Sequence, residues 1–207
     1  MNVLEAQGIR KSYRRHQVLT GVDLAVAAGE MVAVVCENGS GKSTLLRILA
    51  GDLRPDQGSV VTGGQPGYCP QAVVLDDALT VDQHIRYFQA AYRIGATGRA
   101  EALLARLGYA ASRHQPAGTL SGGTRQKLSP TLALLHEPAL LLLDEPYQGF
   151  DWETYLAFWD LAEELRAAGT AILVITHLVF EQERFDRICR LTAGRIEEGA
   201  GRHAPAT

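Results

Sequence analysis

Six apolar residues in unbroken succession, MVAVVC at 31–36, leave no face for water, the pattern of a strand covered on both sides in a parallel sheet. LLLL at 140–143 and AILVI at 171–175 repeat it. Between these runs the period changes. Leu45, Leu46, Ile48 and Leu49 give 42–50 one apolar helical face closed by Gly51, and 152–168 also reads as a helix. Buried strands alternating with helices predict an α/β fold with a mostly parallel sheet. Ahead of it, 3–30 mixes short apolar runs with the turn signals Thr20-Gly21 and Ala28-Gly29, which predicts an N-terminal antiparallel β lobe. Helical spacing returns at 79–108, with Val81, Ile85, Phe88 and Tyr92 on one face and then Leu103, Leu104 and Leu107. This is an inserted α-helical subdomain, about 72–130, broken at 95–98 and followed by a loop at 115–119 and a further helix after Ser121. The expectation is a single domain over 1–207 with a flexible polar tail at 199–207.

Composition narrows the class. At 46% hydrophobic and 21% charged, with a net charge of −3, the chain is neither disordered nor collagen-like, and it lacks the basic excess of a nucleic-acid binder. No nucleic-acid partner is expected. No apolar run approaches the roughly 20 residues that a spanning helix needs, and MNVLEAQGIR has no secretory pattern, so neither a membrane span nor a leader is expected. Cys36, Cys69 and Cys189 are widely spaced, without metal-ligand spacing, and fit a reducing compartment.

Chemistry concentrates at strand ends. Gly39-Ser40-Gly41-Lys42-Ser43-Thr44 follows the strand at 31–36 and opens a helix. Backbone N–H groups and a helix N-terminus there suit a polyphosphate, Lys42 reaches its outer phosphates, and the Ser43 hydroxyl completes a magnesium shell, as in a P-loop NTPase core. An ordinary glycine turn is the competing explanation, and the strand before and helix after it argue against that. The full pattern would place glycine at position 36, where this chain has Cys36. The strand at 140–143 ends in Asp144-Glu145. Asp144 can hold magnesium and Glu145 can orient an attacking water, although alone such a pair would more often be a solvated turn.

With Leu120-Ser121-Gly122-Gly123 between those two elements, the sequence resembles the ATP-binding subunits of ABC transporters over nearly its whole length, with a tilt toward their export branch. The resemblance implies that Ser121, Gly122 and Gly123 face the γ-phosphate of ATP bound to another subunit, so two chains build each site. It also implies that Tyr13 stacks on adenine, that Asn38 to Thr44 hold the phosphates, and that Gln71 joins Ser43 and Asp144 around Mg2+. Asp151 lies at the dimer interface, and His177 assists Glu145 and Lys42 in catalysis. The implied function is an ATPase that powers transport through a separate membrane-spanning permease. The chain would then be cytoplasmic, at the inner or plasma membrane through that permease, and paired with a second copy or a similar ATPase chain. The tilt to export rests on KLSPTLALL and DEPYQGFD, with Leu132 where nutrient importers usually carry an arginine.

Three departures stand out: Cys36, Thr124 in place of the usual glutamine, and Pro130 inside a helix, which removes a donor and is expected to kink it or cost ~3 kcal/mol. Neighbouring packing that accommodates each change is one reading; the other is a dimerising regulatory module with little turnover. A thiol beside a helix N-terminus, if accessible, would have a lowered pKa, which makes oxidation of Cys36 a candidate control on nucleotide binding. Soluble two-cassette proteins and small-molecule kinases fit less well, for want of length in the first case and because LSGG and His177 would go unexplained in the second.

Overall fold

In the computed structural model the described residues are 1–198 apart from 38, 73, 96, 97, 178 and 180. The three continuous apolar runs become β3 (Met31–Cys36), β6 (Leu140–Asp144) and β7 (Ala171–Thr176), adjacent in a six-stranded sheet of order β5-β6-β7-β3-β8-β9. β5 (Gly67–Cys69) and β8 (Arg187–Thr192) are parallel to these, and only β9 (Arg195–Glu198) runs antiparallel.

Two separate cores explain why the runs have no polar position. Side chains alternate across a strand, so Met31, Ala33, Leu141, Leu143, Ile172 and Val174 meet one core. Val32, Val34, Leu140, Leu142, Leu173 and Ile175 meet the other. The first core is closed by helices, among them α4 (Gly122–Leu134) and α5 (Trp152–Ala167), which contribute Leu128, Leu132, Phe158 and Trp159. The second is closed by α1 (Lys42–Leu49) and by a three-stranded antiparallel sheet, β2-β1-β4. That sheet combines β1 (Asn2–Tyr13) and β2 (His16–Ala27) with β4 (Gln57–Thr62), whose QGSVVT sequence is mostly exposed and gives little hydrophobic signal.

α2 (Val81–Tyr92) and α3 (Arg99–Arg106) occupy the helical stretch read from the sequence. α2 begins in a reciprocal cap: the Gln83 N–H donates to Thr80 Oγ1 at 3.2 Å and the Thr80 N–H to Gln83 Oε1 at 2.8 Å. Pro130 does not interrupt α4, which is continuous from Gly122 to Leu134. One turn of its buried face is pinned from outside the helix, because Tyr109 Oη donates to Thr131 Oγ1 at 2.6 Å and Thr131 donates to the Lys127 carbonyl at 2.9 Å.

Close packing of α4 on β5 sets a steric test. A Cβ on Gly67 would lie 2.4 Å from the Ala133 carbonyl oxygen and 2.8 Å from Pro138 Cγ. Gly67→Ala is expected to destabilise the protein by about 1–3 kcal/mol, the usual cost of forcing extra volume into a packed contact, read as a lower urea midpoint. A midpoint equal to the parent's would show that α4 moves away from β5 freely.

Candidate active site

β3 delivers the chain into a turn that only glycine adopts cheaply. Gly39 (φ +80°) and Gly41 (φ +102°) are left-handed, and a Cβ on Gly41 would sit 2.8 Å from Val18 Cγ1. Ser40 lies between them, its N–H donating to the Glu37 carbonyl at 3.2 Å. α1 starts at Lys42, and the first N–H groups of a helix have no intrahelical acceptor, so this end favours an anion. It opens into a cavity of about 860 Å³ lined by Gly39, Gly41, Lys42, Ser43 and Thr44 from this loop, and by Gln71, Glu145, Gln148 and His177 from across it. Asn38, the other residue assigned to phosphate, lies outside the described residues.

The carboxylates at the end of β6 face that loop. Lys42 Nζ is 3.5 Å from Asp144 Oδ1 and 3.3 Å from Glu145 Oε1. Burial tends to discharge the lysine, but the two carboxylates outweigh it and hold Lys42 above its ordinary value. Asp144 is buried, its Oδ1 has no hydrogen-bond partner, and desolvation raises its pKa despite Lys42. Glu145 is equally buried yet shifts the other way. Desolvation pushes it up, but hydrogen bonds from His177 and Thr176 and the charge of Lys42 pull it below its usual range.

Glu145 is held by its backbone and by its neighbours. It has φ +49°, uncommon for a residue with a Cβ, and its N–H donates to the Ile175 carbonyl at 3.0 Å. Its Oε1 accepts from the His177 N–H at 2.9 Å and lies 2.8 Å from His177 Nδ1, while Oε2 accepts from Thr176 Oγ1 at 2.9 Å. The ends of β6 and β7 are thus fastened together at Glu145 and His177, two of the three residues expected to act in catalysis. Thr176, immediately before His177, was not singled out from the sequence; nor was Gln148, whose side-chain oxygen accepts from Gln71 Nε2 at 3.2 Å. The donor set fits Mg2+: Ser43 and Gln71 line the cavity, and Asp144, next to Glu145 at its edge, has a buried Oδ1 that accepts no hydrogen bond and has the ion-pair contact with Lys42 at 3.5 Å.

Other assigned residues lie apart from the cavity. Tyr13, 45% exposed, is at the end of β1 opposite His16 and does not line it. Ser121, Gly122 and Gly123 form the start of α4, also outside the lining; Ser121 Oγ accepts from the Thr124 N–H at 3.2 Å and lies 2.9 Å from Thr124 Oγ1. Thr124 therefore supports the cap of α4. Asp151 caps α5, accepting from the Thr154 N–H at 2.8 Å, and hydrogen bonds from the Thr154 side chain and N–H lower its pKa.

The expectation for Cys36 is corrected. Its residue belongs to extended β3 and does not have a positive φ, so its backbone makes no demand for glycine. The thiol is buried 3.7 Å from the Thr176 carbonyl oxygen, and burial raises its pKa. An accessible, low-pKa thiol is absent at this position, and the basis for redox control goes with it.

Opposite shifts on adjacent carboxylates set a stability test. The raised pKa of Asp144 makes its charge costly at pH 7, a cost relieved as pH falls through the folded-state value. The lowered pKa of Glu145 stabilises above the ordinary glutamate value, and that contribution is lost as pH falls through the depressed one. Asp144→Asn removes the first effect and keeps the second. Without nucleotide at pH 7 it is expected to unfold at a temperature roughly 2–4 °C higher, the shift produced by about 1 kcal/mol in a chain of this size. The advantage should shrink near pH 4, below which both proteins carry a neutral side chain there. A lower unfolding temperature at pH 7 would mean that the contact with Lys42 outweighs desolvation.

Comparison with known proteins gives the family. The ABC transporter family model matches residues 19–148. The cytochrome c biogenesis ATP-binding export protein CcmA of Cupriavidus pinatubonensis is 39% identical, covering 86% of this chain and 84% of its own. The hemin import ATP-binding protein HmuV of Bradyrhizobium diazoefficiens is 36% identical, covering 94% and 81%. A solved ATP-binding subunit of an ABC transporter superposes with a TM-score of 0.88 at 29% identity, over 95% of this chain and 89% of the other. The chain belongs to the ABC transporter family, as one of its ATP-binding, ATP-hydrolysing subunits.

Proposed function

We propose that this ATPase powers transport through a separate membrane-spanning permease, in the direction of export, and that it works as a dimer whose partner is a second copy or a similar chain. The observation that carries the catalytic part is the convergence of Lys42, Glu145 and His177 on one cavity at a glycine loop, with Asp144 behind Lys42 at 3.5 Å. The loop N–H groups and the start of α1 bind the phosphates of ATP. Lys42 exchanges its carboxylate contacts for a phosphate oxygen, which removes a donor from Glu145 Oε1. Glu145 then accepts a proton from the attacking water, and His177 turns toward the γ-phosphate. Ser43, Asp144 and Gln71 would hold Mg2+, which when bound neutralises charge on the phosphates.

The case for two chains is geometric. Ser121 to Gly123 do not line the cavity formed by their own chain, yet they open a helix whose N-terminus suits an anion. A second copy would bring that terminus to the γ-phosphate, with Asp151 at the interface and Tyr13 against adenine. We assign the chain as one domain over 1–207, with about 72–130 as a helical subdomain carrying motion from Gln71 to the permease. Among the described residues no helix is long and apolar enough to cross a membrane, and the assignment places the chain at the cytoplasmic face of the inner or plasma membrane. Export follows the name of the 39% identical relative and Leu132; the hemin importer supports the opposite direction.

Steady-state ATP hydrolysis across protein concentrations tests the assignment. Activity per mole should rise with concentration, and Glu145→Gln should lower it by about 100-fold or more, the usual scale for a general base. Ser121→Arg should abolish turnover and leave the nucleotide affinity of the monomer nearly unchanged. Unaltered turnover in Ser121→Arg would remove the two-chain site.

A further inference from the structure

We infer that Tyr147 is a positioning residue for ATP hydrolysis, acting through Thr176 to fix one oxygen of Glu145 while the other is left for the attacking water. The inference rests on Glu145 acting as the base, as proposed above. Thr176 Oγ1 donates to Glu145 Oε2 at 2.9 Å and lies 2.9 Å from Tyr147 Oη. An ionised carboxylate can only accept, and a threonine hydroxyl has a single proton. With that proton on Glu145, the phenol is the donor to Thr176, and the three groups form a directed chain from Tyr147 to the carboxylate.

The two oxygens of Glu145 differ in what holds them. Oε1 meets Lys42 Nζ at 3.3 Å and His177 Nδ1 at 2.8 Å, side chains for which phosphate competes, as well as the His177 N–H at 2.9 Å. Oε2 is held by Thr176, which is 1% exposed and makes no use of phosphate. When ATP draws Lys42 and the His177 ring away, Oε1 loses side-chain donors and Oε2 keeps its own, so the carboxylate remains aimed as the water site opens.

Tyr147 is suited to anchor this chain because its ring is itself packed. It lies edge-on to Tyr155 at 5.7 Å and tilted against Trp159 at 6.0 Å, and Trp159 is edge-on to Phe158 and Phe185. Tyr155, Phe158 and Trp159 belong to α5, so the relay ties that helix to the orientation of Glu145. Tyr147→Phe keeps the ring and removes the phenol hydroxyl that donates to Thr176.

Steady-state kinetics with MgATP would be compared for the parent, Tyr147→Phe, Thr176→Ser, Thr176→Val, the Tyr147→Phe/Thr176→Val double variant and Glu145→Gln, with nucleotide affinity and unfolding temperature recorded for each. Tyr147→Phe should lower kcat about tenfold, the scale of one hydrogen bond to an ion-supporting group, with KM and nucleotide affinity within about twofold. Thr176→Ser should keep activity near the parent's, Thr176→Val should lose at least as much as Tyr147→Phe, and the double variant should be no slower than Thr176→Val. A parental kcat in Tyr147→Phe, a loss confined to KM, or losses that multiply in the double variant would overturn the relay. Should Tyr147→Phe prove unstable, the Thr176 pair decides: equal kcat in Thr176→Ser and Thr176→Val overturns it. Parental turnover in Glu145→Gln would instead remove Glu145 as the base, a failure distinct from full activity in Tyr147→Phe beside an inactive Glu145→Gln.

Discussion

Two carboxylates buried at the end of a strand beside one lysine are the constraint on which the site depends. Asp144 and Glu145 are almost fully buried, and among the described residues Lys42 is the cation within ion-pair reach of both. Burying two negative charges with one positive charge is costly unless the remaining lone pairs are met. Glu145 meets this demand with Thr176 and His177, whereas Asp144 keeps an oxygen without a hydrogen bond. Asp144 Oδ1 has Lys42 beside it at 3.5 Å but accepts no hydrogen bond, and in the proposed mechanism phosphate competes with both carboxylates for that lysine.

That arrangement requires three chain segments distant in sequence to end at the same height. β3, β6 and β7 are adjacent and parallel, so their C-terminal ends put the glycine loop, the Asp144-Glu145 pair and His177 on one edge of the sheet. The strands are covered on both sides by separate apolar layers. A one-residue slip would exchange the faces of every side chain and move the two carboxylates relative to the loop. Packing of the sheet therefore sets the geometry of the candidate site, in which Glu145 has a left-handed backbone and its N–H donates to the Ile175 carbonyl.

Much of this was legible because the physics is local. Strands at 31–36, 140–143 and 171–175 declare themselves by lacking any polar position, and glycines with a following lysine at a strand-helix junction specify a phosphate loop without knowledge of the rest of the chain. β4, β5, β8 and β9 were not legible. β5 has three residues and β4 is mostly exposed, so neither has a hydrophobic pattern long enough to read, and each exists because a neighbour offers its backbone a partner. The surroundings of Cys36 were not legible for a related reason, since its burial is governed by what packs around it.

The sequence by itself determined the three buried strands and the helices between them, the phosphate loop, the acidic strand end and the family, because spacing along one segment is enough to encode each of them. Only the tertiary structure decided that Glu145 is held by Thr176 and His177 while Asp144 is left short of a donor, and that Ser121 to Gly123 stand apart from the cavity of their own chain. The pKa shifts of adjacent residues point in opposite directions for the same reason. Desolvation and hydrogen bonding depend on which atoms surround a group in space, and two neighbours in sequence on opposite sides of a strand end have different surroundings.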